Sequence, residues 1–211
     1  MATTAPLSAD IIEIAAAGRG VRSSTGFQTI GNTNYGVGNG VSPPREARSW
    51  LSFDTSGLAG QIESVELIVV STGYASSDPF ESVDLREVTT NFDDLFATQV
   101  SLPIFDDLAD GALYGSFTLK SDTPDNSVVV ISLNANAIQS LQESASSGDF
   151  WSVGMSMTTM DDDMFTQEVL FPSSQNVPLS ETYLRITTIP APGVLALLGA
   201  AGLCGRRRRR R

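Results

Sequence analysis

Trp151-Ser152-Val153-Gly154-Met155-Ser156-Met157 alternates large apolar residues with Ser and Gly. Side chains of a strand point to opposite faces with a period of two, so this stretch is a strand with one apolar face and one small, polar face. Working outward, short runs of the same kind occur at 11–15, 48–54, 62–71, 82–88, 114–120, 127–133, 151–159, 169–171 and 183–188, separated by clusters of Gly, Pro, Asn, Asp and Ser. That combination predicts an all-β fold, a β-sandwich or jelly roll, over residues 10–188. Val128-Val129-Val130-Ile131 is apolar throughout, the pattern of a central strand covered on both faces. One short helix is expected at 135–146, where Asn134 is a good N-cap and Ile138, Leu141 and Ala145 recur at helical spacing. Residues 20–44 are polar and rich in Gly and Asn, and read as a long surface loop.

The chain has 211 residues, 13 Lys+Arg, 24 Asp+Glu, one Cys, no His and a formal net charge of −11. Six of the basic residues are Arg206, Arg207, Arg208, Arg209, Arg210 and Arg211, so everything before them carries seven basic groups against 24 acidic ones, a net −17. An acidic body of this kind repels phosphate backbones, which argues against nucleic-acid binding. The absence of His removes Ser-His and Cys-His catalysis and His-ligated zinc. Many acids pair on paper as a glycosidase acid and base, but nothing in the pattern selects two of them, and no enzymatic activity is expected.

The end of the chain is organised differently from the body. Pro190-Ala191-Pro192-Gly193 stops any strand or helix and predicts an extended, accessible segment. Residues 194–205 (VLALLGAAGLCG) then run without a charge into the six arginines. As a helix this span is ~18 Å long, short against a hydrocarbon core of ~30 Å. The arginines would act as a cytoplasmic stop, leaving the acidic body outside. A buried C-terminal helix or an expression scar is the plainer alternative, but a Gly/Ala-rich span leading into exposed arginines fits neither well.

Pro-x-Pro, a short Leu/Ala/Gly span and terminal arginines, in that order, resemble the PEP-CTERM sorting signal of Gram-negative envelopes. The usual middle residue is Glu; here it is Ala191, as in a variant form of the signal. The resemblance covers residues 189–211. It implies a C-terminal hydrophobic sorting helix, transient anchoring in the inner membrane, and an exosortase-type sorting enzyme that cuts near Pro190, Ala191, Pro192 and Gly193. Such a cut would remove Cys204, the sole cysteine, which suits an oxidising exterior; lipidation of Cys204 is the other reading. An exported protein also needs a leader. Residues 1–9 (MATTAPLSA) lack a basic region and an apolar stretch, and are expected to be the remnant of a leader or to follow a start further upstream.

A second resemblance lies in the body. Asn34-Tyr35-Gly36, then Arg48-Ser49-Trp50-Leu51-Ser52-Phe53-Asp54-Thr55-Ser56-Gly57-Leu58, then Ile62-Glu63-Ser64-Val65-Glu66-Leu67 is similar to the opening of DNRLRE-type β-sandwich domains, with Val65 where those have Ala. This resemblance implies a sandwich of a surface protein, with polysaccharide binding in some related modules.

Two groups of residues are candidates for ligand contact. Leu51 and Phe53 share one strand face, which places Trp50 on the other with Ser52 and Asp54. There Trp50, with Tyr35 as a second aromatic, is placed to stack on a sugar, or else is covered by a loop such as residues 31–40. Asp161, Asp162 and Asp163 form the densest acidic cluster and offer oxygens to Ca²⁺, although they lack the spacing of an EF-hand loop and also read as a solvated turn. Asp93, Asp94, Asp106, Asp107 and Asp110 read as loop acids. The expected function is that of an exported cell-surface or extracellular-matrix protein with a structural or adhesive role. A non-catalytic carbohydrate-binding module is the alternative.

Overall fold

The strand β1 (Asp10–Ser23) serves two parts of the sheet at once. Its residues 10–15 pair antiparallel with β11 (Tyr183–Ile189), and its residues 16–23 pair with β3 (Pro44–Asp54). Between the two halves the register slips: Ala16 lies opposite Phe53 and Gly18 opposite Ser52, so Ala17 is an extra residue in a β-bulge. The extra residue reverses the alternation. Ile12, Ile14 and Ala16 face the main core, whereas Gly18 and Gly20 face the opposite side, against Phe96 and Trp50.

The computed structural model describes residues 9–28, 33–41, 44–97, 99–161 and 167–189. Besides β1, β3 and β11, it contains β2 (Val37–Val41), β4 (Gln61–Val70), β5 (Tyr74–Ala75), β6 (Phe80–Glu87), β7 (Leu113–Lys120), β8 (Val128–Ser132), β9 (Phe150–Met157) and β10 (Glu168–Leu170). Three short α-helices, α1 (Phe92–Phe96), α2 (Leu102–Asp110) and α3 (Ala135–Ser147), and two 3₁₀ turns, Ser174–Asn176 and Leu179–Glu181, complete it. All strand pairings among the described residues are antiparallel. On one side of β1 the order runs β11, β4, β8. On the other side β3 carries β9 and β2; β9 leads on to β6 and β7, and β2 to β10 and β5.

The sheet curls so that its two sections share one apolar interior. Val65, Leu67, Leu184 and Ile186 from one section join Leu51, Phe53, Val83, Leu85, Val153 and Met155 from the other. Each such side chain contributes roughly 1.5–3 kcal/mol on burial. The fold is therefore all-β and sandwich-like, as the period-two pattern predicts. All nine expected strands are present.

Several local expectations are corrected. The Val128–Ile131 run is β8, an edge strand that pairs with β4 alone, and its outward residues Val128 and Val130 are exposed. Continuous apolarity did not mark a central strand here; only Val129 and Ile131 turn toward the core. Residues 20–44 are not one surface loop. They contain the end of β1 and all of β2, and Arg22, Tyr35 and Val37 within them are fully buried.

The Ser/Gly face of β9 is covered too, because α2 lies on it. A Cβ at Gly154 would run into the backbone of Leu108. Two helices replace the expected acidic loops. Asp93 and Asp94 lie in the first turn of α1, capped by Asn91, and Asp106, Asp107 and Asp110 lie in α2, capped by Ser101. The Asp107 carboxylate accepts hydrogen bonds from the N–H and hydroxyl groups of Thr89 and Thr90 at 2.6–3.2 Å. Trp50, Leu95, Ile104 and Leu108 make a second, smaller core under these helices. Arg22 pins the segment between them. Its guanidinium donates to the carbonyls of Gly26, Asp94, Leu95, Ala97 and Gln99 at 2.8–3.5 Å, and burial lowers its pKa.

The expected helix is α3. The Asn134 side chain accepts from the N–H groups of Asn136 and Ala137, and Gly148 ends the helix at φ +75°, a left-handed conformation that glycine adopts without penalty. Under α3, the Tyr114 ring stacks on Trp151 at 5.4 Å and its hydroxyl donates to Ser140 Oγ at 2.7 Å. Burial pushes the Tyr114 phenol up to about 12.

Two predictions follow from this packing. Gly154→Ala is expected to lower the unfolding free energy in urea by about 1–3 kcal/mol, since backbone rather than a mobile side chain must give way. The control Gly57→Ala, with nothing within 4 Å of its new methyl, changes it by less than about 0.5 kcal/mol. The Tyr114 phenol lies above the ~10 of an unfolded tyrosine. Its contribution to stability is therefore complete below pH ~10 and is lost as pH rises through about 12. In an alkaline absorbance titration, the difference between wild type and Tyr114→Phe should show one phenol ionising near that value.

Candidate functional site

Two neighbouring carboxylates and one distant in sequence converge where the β5–β6 turn meets the start of β10. Asp78 comes from the turn, Glu81 from the second residue of β6, and Glu168 from the first residue of β10. One oxygen from each lies within 4.8 Å of the others. Asp78 is half-buried, whereas Glu81 and Glu168 are only 0% and 1% exposed. None of the three enters an ion pair among the described residues.

Local chemistry explains how each is held. Tyr74 donates its hydroxyl to the Asp78 carbonyl at 2.7 Å, and Ser76 Oγ accepts the Asp78 N–H at 3.1 Å, which fixes the turn. Glu81 accepts from Ser76 Oγ at 2.6 Å on one oxygen and from the Thr159 hydroxyl on the other. Glu168 Oε2 accepts the backbone N–H of Asp161 at 2.8 Å, while its Oε1 is buried with no hydrogen-bond partner. Desolvation, with the neighbouring charges of Glu81, Asp161 and Asp78, raises the Glu168 pKa against the lowering effect of the Asp161 N–H. Three acidic groups without a cation partner, two of them out of water, make an oxygen-lined, electronegative niche.

The residues singled out in the sequence are placed differently. Trp50 is fully buried and presents no face to a sugar. Phe96 packs edge-on against it at 4.8 Å, and among the described residues Leu95 of α1 and Ile104 and Leu108 of α2 pack with it. Tyr35 is also fully buried: its hydroxyl donates to the Val70 carbonyl at 2.7 Å, and the Arg19 guanidinium lies over its ring at 5.1 Å. It is a strut of the interior and not a contact surface. Asp161 is exposed, and its link to the acidic niche runs through its backbone N–H. Asp162 and Asp163, the sorting motif at Pro190–Gly193, Cys204 and the terminal arginines lie outside the described residues.

The accessible aromatic surface is elsewhere. Phe92 and Phe150 stack face to face, 3.9 Å between centroids and 6° between planes, and line a shallow depression of about 290 Å³ with Asn91, Asp93 and Asp149. Neither this ledge nor the acidic niche has a sequence signature. Asp78, Glu81 and Glu168 are single acids in ordinary turn and strand contexts, and only the pairing of β10 with β5 brings Glu168 to the other two. No protein-family model matches the chain, and no curated protein matches it.

Proposed function

We propose that the protein is an exported component of a bacterial cell surface or extracellular matrix, with a structural or adhesive role, and that its C-terminal segment is a PEP-CTERM-like sorting signal cut by an exosortase-type enzyme. In this reading the body is a jelly-roll-type sandwich of the DNRLRE kind, anchored briefly in the inner membrane and then released outside. The observation that carries the proposal is where the body closes. β11 is flanked by β1 and β4, it ends at Ile189, and the Pro-Ala-Pro-Gly motif begins at the next residue. The main core of the described residues draws its buried members from Ala16 to Ile186, all of which precede the motif. Cleavage at the motif would therefore leave the packed body whole.

Mass spectrometry of the protein recovered from its native envelope should give a C-terminus near 190–193, without the six arginines. An intact tail would overturn the sorting proposal. A chain ending at residue 189 is expected to unfold at the same midpoint as the full chain.

A second reading, non-catalytic polysaccharide binding, is supported by the Phe92–Phe150 ledge. Aromatic faces suit the apolar C–H surface of a sugar ring, and the neighbouring Asn91, Asp93 and Asp149 offer acceptors to its hydroxyls. Phe150 is 41% exposed. Retention on immobilised polysaccharides that Phe150→Ala abolishes would favour this reading; no retention on any of them would remove it.

A further inference from the structure

We infer that Asp78, Glu81 and Glu168 form a binding site for one hard divalent cation, Ca²⁺, that fastens β10 to the β5–β6 turn. Ca²⁺ takes oxygens at ~2.3–2.6 Å, so two oxygens on one ion lie up to about 5 Å apart. The three carboxylates already meet that limit, each offering an oxygen within 4.8 Å of the other two. Asp78 and Glu81 lie three residues apart at the β5–β6 turn and Glu168 joins them from β10, 87 residues after Glu81, so the arrangement is a product of the fold and not of a local acidic run.

The decisive feature is Glu168. It is 1% exposed, its Oε1 has no hydrogen-bond partner, and it sits within a cluster of like charge. A buried carboxylate of that kind is costly unless something positive or hydrogen-donating meets it. Among the described residues no Lys or Arg pairs with it. The donors that are present fill other positions: the Asp161 N–H takes Oε2, and Ser76 and Thr159 take the two oxygens of Glu81. One lone pair is then left on each Glu81 oxygen, directed by a fixed side chain, and Oε1 of Glu168 is wholly free to ligate. Half-buried Asp78 supplies the third carboxylate on the more open side, where water completes the shell of 6–8 oxygens. Mg²⁺ fits less well, because it demands a strict octahedron and gives up its water reluctantly.

The consequence is structural. β10 has only three residues and bridges β2 to β5, which has two. Such short pairings hold weakly by themselves. A cation shared by Glu168 and the β5–β6 turn would tie this small outer ladder to β6 and hence to the main sheet. This inference does not depend on export or sorting.

The full-length chain, stripped with chelator, is titrated with CaCl₂ alone by calorimetry, and its thermal unfolding is followed with and without Ca²⁺. The wild type should bind one Ca²⁺ per chain and unfold at a higher temperature in its presence. Glu168→Gln and Asp78→Asn should each bind at least tenfold more weakly, while Asp106→Asn on the exposed face of α2 keeps wild-type affinity. Should Glu168→Gln fail to fold, Asp78→Asn, at the half-buried position, decides the matter. Absence of Ca²⁺-dependent heat in the wild type would overturn the inference, as would equal affinity in Asp78→Asn. So would a Glu168→Gln protein that gains stability while wild type ignores Ca²⁺, because the carboxyls would then share a proton instead of a metal ion.

Discussion

The rest of the structure depends on a single extra residue in β1. Because Ala17 has no partner opposite it, the strand turns over between Ala16 and Gly18 and contributes its inner face first to one section of the sheet and then to the other. A regular strand would have kept one set of side chains on one face throughout. With the bulge, Ile12 and Ile14 reach the main core, and Gly18 and Gly20 are delivered to the outer face as bare backbone. That bare patch is what allows Trp50 and Phe96 to settle there. The second core and the two helices above it follow from it.

The second core also rests on an unusual cation. Arg22 is fully buried without an acidic partner among the described residues, and its Nη groups donate to backbone carbonyls alone. Removing a guanidinium from water is expensive unless its donors are met, and here its two Nη groups reach five carbonyls, four from residues 94–99 and the fifth from Gly26, while Nε has no partner among the described residues. The arginine thus acts as a template on which the α1–α2 connection is folded. Arg19, three residues earlier and so on the opposite face of the strand, does the converse: it turns inward and donates to the Val177 carbonyl and to Thr182 Oγ1. Two of the body's seven basic residues are spent inside the fold, which leaves the acidic surface still more weakly balanced.

Much of this fold is legible in the sequence, for reasons that are local. The period-two run at Trp151–Met157, the cap at Asn134 and the opposite faces of Trp50 and Leu51 depend on neighbours in the chain, and each is found where the pattern puts it. What could not be read depends on partners far away. Val128 and Val130 look like core residues, and only the strand order shows them at an edge. Gly154 looks like part of a solvent face, and only the arrival of α2 shows why it must be bare. The helix α1 is five residues long, too short to display a periodicity. The acidic niche is the extreme case. Glu168 lies 90 residues from Asp78, whereas the conspicuous Asp161–Asp163 run contributes to it, in the described residues, the backbone N–H and the nearby charge of Asp161.

The register of β1 against β11 has a mechanical consequence. Asp10 lies opposite Thr188, so the chain enters and leaves the body side by side, at one pole. Anything attached before the first strand and anything attached after the last would hold the domain by the same end and present the same opposite end outward. A pull applied at Ile189 would load β11, which is laddered on one side to β1 and on the other to β4. The tension would be divided between two neighbouring strands from the outset, and a body suspended by its C-terminus would resist extraction better than one suspended from an edge.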